Sequence, residues 1–153
     1  MPHSASDAAA NLSQTLRDIT AEVLETMFYL FPEEEQAEDG PQSEAPITSA
    51  FRFEGEPSGL VVISISAAAA RTAAANFLAL DEEETGMEKV AEVVCEMANM
   101  VGGCLLGCIE NTTPLQPFPP EVVAAATLEG RQPVASHLFY LEHGSLRVTL
   151  YWE

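Results

Sequence analysis

Residues 88 to 110 carry apolar side chains at spacings of three and four, which predicts one long helix with a single apolar side. At about 100° per residue, the apolar positions that gather on that side are Val90, Val93, Val94, Met97, Val101, Cys104, Leu105 and Cys108. A helix with so much apolar surface has to bury it. The chain must therefore fold around this segment, and we expect its apolar side to be core.

The opposite side of this helix carries a narrow polar stripe, formed by Glu92, Glu96, Asn99 and Gly103. Spacings of four, three and four place these residues within an arc of roughly 60°. Relative to Ala in a helix interior, Asn99 costs about 0.5 kcal/mol and Gly103 about 1 kcal/mol, so helix formation accounts for neither. Because Gly103 has no side chain, a partner surface can approach the stripe closely.

A flank beside the stripe is lined by small residues, namely Ala91, Cys95, Ala98 and Gly102. Small side chains let a neighbouring helix or strand of the same protein lie unusually close. We therefore expect this helix to be wedged against the rest of the domain and rigid.

The stripe suits positioning better than nucleophilic or metal chemistry, because it has no His or Cys and only one hard anionic ligand beside Asn99. The Asn99 amide can accept a hydrogen bond from a water while its NH₂ group donates elsewhere. Such a water is held for in-line attack on a phosphoryl group that another protein has activated. The Glu96 carboxylate can pair with a Lys of that protein.

Two simpler interpretations of the stripe remain at this point. Glu96 would then be an ordinary solvated carboxylate on a helix surface. Asn99 would bond to the nearby backbone, which requires the helix to end at Gly102.

Charge and composition exclude several classes of protein. The formal charge is −18, from 24 Asp and Glu against 6 Lys and Arg, so neither nucleic acid nor an anionic membrane is expected as a partner. No apolar run reaches the ~20 residues of a membrane span, and the first residues lack the features of a leader, so we expect a cytoplasmic protein. A chain of 153 residues, 47% of them hydrophobic, suits one domain with a substantial core.

The three cysteines are too few and too clustered for a disulfide scaffold, and we expect Cys95, Cys104 and Cys108 to be reduced and buried. Cys104 and Cys108 together with His137 and His143 offer a zinc site as an alternative. Two cysteines four residues apart on an apolar face lack the usual ligand spacing, so core packing is the preferred interpretation and no metal ligand is predicted.

The rest of the chain predicts an α+β domain, with a largely antiparallel sheet packed against helices in the order αββααβββ. A flexible tail at residues 1–11 precedes a single domain at 12–153. Apolar spacing predicts a first helix from Leu12 to Phe31 that Pro32 closes, and a solvated acidic loop follows at 32–46.

Five runs of residues predict strands. Residues 47–55 and 59–66 form a hairpin whose second strand is central, and Ser66 is placed to cap the Ala-rich helix that follows. Beyond the long helix, a proline-rich connection precedes three strands with the sequences EVVAAATL, PVASHLFYLE and SLRVTLYWE. The last two are joined by a turn at His143-Gly144.

Residues 96 to 100, EMANM, followed by Gly102 and Gly103, resemble the Glu-x-x-Asn phosphatase motif of the CheX, CheC and FliY group. The segment from Glu22 to Met27 is similar to the first helix of CheX-type proteins, and Gly59 to Ala70 is similar to their central strand and the helix after it. The likeness covers about residues 14 to 152. One copy of the motif resembles the CheX type, since the CheC type carries two.

The resemblance implies a hydrolase of two-component signalling in chemotaxis, which removes the aspartyl phosphate of a CheY-like response regulator. It implies that Asn99 orients the attacking water and that Glu96 pairs with the regulator's active-site Lys. Glu92 and Gly103 would contact the same partner. The protein would have no cofactor of its own, because Mg²⁺ would come with the regulator, and it would act as a homodimer.

The alternative is a non-catalytic adaptor on the same fold, which binds a receiver domain without hydrolysing its phosphate. Two departures from the group leave room for it. Glu92 stands where the group often has Asp or Ser, and Pro119 and Pro120 fall slightly short of the group's downstream Pro, which lies a little over twenty residues after the Asn.

Overall fold

The computed structural model describes residues 5–34, 44–110 and 114–153, with side chains from residue 11 onward. His3 and residues 35–43 of the predicted acidic loop lie outside the described residues. The described helices are α1 (Ala5–Met27), α2 (Ala67–Leu78) and α3 (Met87–Ile109), with short 3₁₀ turns at Glu82–Glu84 and Ala125–Leu128. The described strands are β1 (Ile47–Glu54), β2 (Gly59–Ile65), β3 (Gln116–Pro117), β4 (Glu121–Val122), β5 (Ala135–Leu141) and β6 (Gly144–Trp152).

All six strands belong to one antiparallel sheet, ordered β3-β1-β2-β6-β5, in which β4 also pairs with β1. Strand β2 is central, as predicted, with Val62 opposite Ala50 on one side and opposite Thr149 on the other. Val61 and Ile63 join the helices in the main core, whereas Leu60 and Val62 belong to a smaller cluster on the other face. The predicted α+β class and both predicted hairpins are confirmed.

The predicted strand EVVAAATL is wrong beyond its first two residues. Only Glu121 and Val122 pair with β1, and the N–H of Val123 then donates to the carbonyl of Thr48 at 2.9 Å. The chain next forms the 3₁₀ turn Ala125–Leu128. Its alanines lack the β-branched and aromatic side chains that favour a pleated strand, so the pairing stops where they begin.

Both ends of the first helix differ from the prediction. Helix α1 begins at Ala5 and ends at Met27, five residues before Pro32. Tyr29 adopts the left-handed conformation with φ of 53°, and the N–H of Leu30 turns back to the carbonyl of Leu24 at 2.9 Å. The Asn76 side chain donates to the carbonyl of Phe28 at 2.8 Å. These bonds satisfy the last carbonyls of the helix before the proline is reached.

Ser66 stands at the N-cap position of α2, but its hydroxyl does not cap the helix as predicted. It accepts the N–H of Ser145 at 3.1 Å, while the N–H of Ser66 donates to the Ser145 carbonyl at 2.9 Å. The residue therefore ties the start of α2 to strand β6.

Helix α3 lies where the sequence predicts it and forms the centre of the helical layer. Its buried residues are Val90, Val93, Val94, Met97, Ala98, Val101, Gly102, Leu105 and Leu106. By length and mean hydropathy alone this helix could cross a membrane, although Glu92 and Glu96 interrupt its apolar run. In the fold its apolar side packs against the sheet and the other helices.

Two contacts fix α3 on strand β1. The buried hydroxyl of Ser49 donates to the carbonyl of Val94 at 3.1 Å. Eight residues along the helix, Gly102 lies so close to Phe51 that a Cβ at Gly102 would overlap the phenyl ring. The close packing predicted for the small flank is confirmed at Gly102 and at Ala98, which is fully buried. The segment from 96 to 99 is thereby held between two fixed points.

Replacing Gly102 by Ala should destabilise the protein relative to the same change at Gly103. Both substitutions gain the same helix propensity, but only the methyl group at Gly102 meets Phe51, and nothing lies within 4 Å of a Cβ at Gly103. Overpacking of this kind costs about 1–3 kcal/mol, which should appear as the difference between Gly102→Ala and Gly103→Ala in urea unfolding. Equal free energies of unfolding for the two variants would contradict the close contact.

Candidate functional site

The four residues of the polar stripe lie together on the outward face of α3. Glu92, Glu96, Asn99 and Gly103 are all exposed, and among the described residues no atom outside the neighbouring residues and backbone of α3 lies within 4 Å of where a Gly103 Cβ would be. Glu96 and Asn99 are separated by three residues, a rise of about 4.5 Å along the helix. The side chains of the two residues are therefore placed to reach one partner surface at the same time.

The continuation of α3 to Ile109 removes one of the simpler interpretations. Asn99 lies ten residues before the end of the helix, so a capping role near Gly102 does not apply. The ion pairs found among the described residues use other carboxylates: Asp18, Glu44, Glu54 and Glu142. Within the described part of the chain, Glu92 and Glu96 are thus available to a partner's cation.

The surface next to the stripe is acidic. Glu88 lies one turn before Glu92 on α3, and Glu121 on strand β4 lies close enough to Cys95 to influence its pKa. A concentration of carboxylates draws a cationic surface and repels free phosphate. The site therefore has the charge to hold a partner's Lys and lacks the charge to bind phosphate by itself.

The structure brings Pro120 beside the stripe, although it is distant in sequence. A groove of about 810 Å³ runs along the N-terminal half of α3, and Pro120 lines it together with Glu92 and Glu96. Phe77, Leu78 and Val122 line the same groove. The groove is not predictable from the sequence pattern, because its walls come from three separate segments and share no periodicity.

Cys104 and Cys108 are exposed, so the prediction that they belong to the core is wrong. In the C-terminal half of α3 the buried side follows Gly102, Leu105 and Leu106 toward strand β1. Cys104 lies about 160° around the helix from Gly102 and so faces away from that contact. The apolar side that the sequence predicts for an ideal straight helix therefore fits the N-terminal half of α3 but not its C-terminal half.

The histidines considered for a zinc site lie on the last hairpin. His137 packs edge-on against Phe139 with ring centres 4.5 Å apart, and its pKa is lowered by burial and by the nearby charges of Arg17 and Arg147. The imidazole of His143 approaches the Glu142 carboxylate at 3.9 Å. Within residues 5–34, 44–110 and 114–153, no three His, Cys, Asp or Glu residues cluster as a metal site would require.

Cys95 is half-buried in the wall of the groove, next to the stripe. The pKa of its thiol is raised, mainly by burial and further by the carboxylates of Glu96, Glu121 and Glu92. Both causes disfavour the thiolate, so the thiol stays protonated at neutral pH. Cys95 therefore behaves as a small apolar group in this wall.

Comparison with known families gives a match that includes the stripe. A family model described as chemotaxis phosphatase CheX matches residues 47–142, more than half of the chain. A search of curated proteins gave no match.

Solved structures share the fold at low sequence identity. CheX from Vibrio vulnificus is 19% identical with a TM-score of 0.71, over 95% of this chain and 98% of that one. The complex of CheX with CheY, BeF3 and Mg²⁺ from Borrelia burgdorferi gives 18% identity and a TM-score of 0.70, over 92% of this chain and 96% of that one. FliY from Thermotoga maritima gives 12% and 0.56, over 99% of this chain and 91% of that one.

At neutral pH, Cys95 should react with iodoacetamide much more slowly than Cys104 and Cys108. Its raised pKa leaves little thiolate, and its half-buried position limits access. The rate at Cys95 should rise with pH and should also rise in Glu96→Gln, which removes the largest of the charge effects. Mass spectrometry after cyanogen bromide cleavage at Met97 and Met100 separates Cys95 from the other two in both proteins, and equal rates at all three would contradict this environment.

Proposed function

The chain belongs to the CheX family of chemotaxis phosphatases, and on that basis we propose that it hydrolyses the aspartyl phosphate of a CheY-like response regulator. The observation that carries the proposal is the polar stripe, in which Glu96 and Asn99 face outward on a helix whose other side is fixed to the sheet. The complex from Borrelia burgdorferi, which contains CheX together with CheY, BeF3 and Mg²⁺, supports the same class of partner.

In the proposed mechanism, Asn99 positions the water that attacks the phosphoryl group. Its carboxamide accepts a hydrogen bond from the water through the oxygen and donates through the NH₂ group. Holding the water in line replaces a random encounter with a fixed geometry, and this is where the rate gain arises. The rigid attachment of α3 supports this role, since a displacement of about 1 Å can cost about 10²-fold in rate.

Glu96 orients the partner, and Glu92 and Gly103 extend the same contact. The Glu96 carboxylate pairs with the active-site Lys of the regulator, which places the phosphoryl group opposite Asn99. Glu92 adds a second negative charge one turn earlier, and Gly103 leaves space one turn later. Mg²⁺ enters with the regulator to neutralise the phosphoryl oxygens, so this chain contributes placement and no cofactor.

The assembly and location belong to the same proposal. The protein acts in the cytoplasm, where response regulators are phosphorylated, and as a homodimer. Exposed apolar side chains outside the groove support a protein interface, among them Tyr29 with 63% and Phe31 with 62% of their surface exposed.

Asn99→Ala should lose about 10²-fold or more of the acceleration of phosphate loss while still binding the regulator, because the residue positions water and does not anchor the partner. The assay follows radiolabelled phosphate on purified receiver domains encoded by the same genome. Binding is measured separately with a receiver domain carrying beryllofluoride, which mimics the phosphoryl group.

Asn11→Ala, an exposed asparagine on α1, is the matched control and should behave as wild type. Lost binding with unchanged turnover in Asn99→Ala would contradict its role. Wild-type protein that binds the phosphorylated receiver but leaves the phosphate untouched, or protects it, would establish the adaptor function instead.

Gly103→Leu should weaken binding of the receiver about tenfold or more, because a side chain one turn beyond Asn99 holds the partner away from the stripe. Gly107→Leu is the control, since both positions have nothing within 4 Å of a Cβ and both tolerate the side chain. The dissociation constants are compared by titration with the beryllofluoride-loaded receiver. Equal weakening by the two variants would show that the stripe is not the contact.

A further inference from the structure

The groove beside the stripe has a largely apolar lining. Its volume of about 810 Å³ lies between the end of α2, the N-terminal half of α3 and the segment Pro120–Val122. Leu78 and Val122 line it while keeping 37% and 52% of their surface exposed. They are two of the seven large apolar side chains that are exposed among the described residues, and they lie next to the stripe.

The edges of this groove carry negative charge. Glu88, Glu92 and Glu96 line it from α3, and Lys89 is the single cation among its lining residues. The raised pKa of Cys95 in the groove wall reflects the same carboxylates together with burial. An apolar floor with an acidic edge fits an apolar side chain that is flanked by a Lys or Arg.

The groove is continuous with the stripe, since Glu92 and Glu96 belong to both. A partner whose Lys pairs with Glu96 must therefore cover the end of the groove nearest that residue. A second copy of this chain is a poorer occupant, because its net charge of −18 repels an acidic edge.

We propose that this groove binds an apolar side chain of the response regulator, carried on the surface beside its active-site Lys and flanked by a second basic residue. This inference rests on the proposed function and assigns recognition to a part of the site separate from Glu96 and Asn99. The groove selects which regulator binds, and the stripe carries out the chemistry.

The double variant Leu78→Ser with Val122→Thr tests the groove. Both side chains are exposed, so the fold should persist, and a urea unfolding curve checks this. We expect KM and Kd for the receiver domain to rise about tenfold with kcat unchanged, because apolar contact is lost without any change at Asn99. Met87→Ser, an apolar position with 44% of its surface exposed that does not line the groove, should leave KM and Kd unchanged.

Alkylation of Cys95 gives a second measurement on the wild-type chain. Binding of the beryllofluoride-loaded receiver should slow the reaction at Cys95, which lines the groove, and leave Cys108 unaffected. Protection of Cys95 that depends on the concentration of this chain alone would assign the groove to a second copy and overturn the proposal.

The outcomes separate this inference from the proposed function. Wild-type hydrolysis with unchanged KM and Kd in the double variant overturns the groove proposal only. Weakened binding in the double variant, without hydrolysis by wild-type protein, upholds the groove and overturns the phosphatase. No binding by any receiver domain of the same genome overturns both.

Discussion

The contact between helix α3 and strand β1 is the constraint on which the rest of the site depends. Phe51 fills the space that a side chain at residue 102 would occupy, and Ser49 holds the carbonyl of Val94 from the same strand. Because β1 lies behind the helix at both points, Met97 and Ala98 are buried against the core, and Glu96 and Asn99 face solvent. Two exposed side chains thereby gain a fixed position without any direct support of their own.

This arrangement suits a protein that completes another protein's active site. Side chains on a loop lose both backbone and rotamer freedom when a partner binds, and this loss lowers the affinity. Side chains on a fixed helix lose only rotamer freedom. An acidic surface further allows attraction to a Lys without competition for the phosphate. The chemistry that we propose for Asn99 therefore needs placement from this chain, and charge neutralisation from the partner and its Mg²⁺.

The stripe to which we assign the chemistry and the groove to which we assign recognition lie next to each other on α3. The stripe faces outward along α3, whereas the groove descends between α3, the end of α2 and Pro120. Pro120 comes slightly earlier in the sequence than the downstream proline of the related group. The path of the chain between α3 and β4 nevertheless brings it to the site. A change in the groove walls alters partner contacts without moving the two residues that we assign to the reaction.

The local elements whose pattern repeats along the chain could be predicted from the amino-acid sequence. It predicted α3 and its polar stripe, the central strand β2 and the two hairpins, because helical and alternating periodicities record which side of each element is buried. The exposure of Cys104 and Cys108, the end of α1 at Met27 and the 3₁₀ turn after Val122 became evident only from the folded chain. Each of these features depends on a residue that is distant in sequence and supplies a packing surface or a hydrogen bond, such as Phe51 for α3 and Asn76 for α1. The groove depends on the fold in the same way, because its walls meet only when the chain is folded.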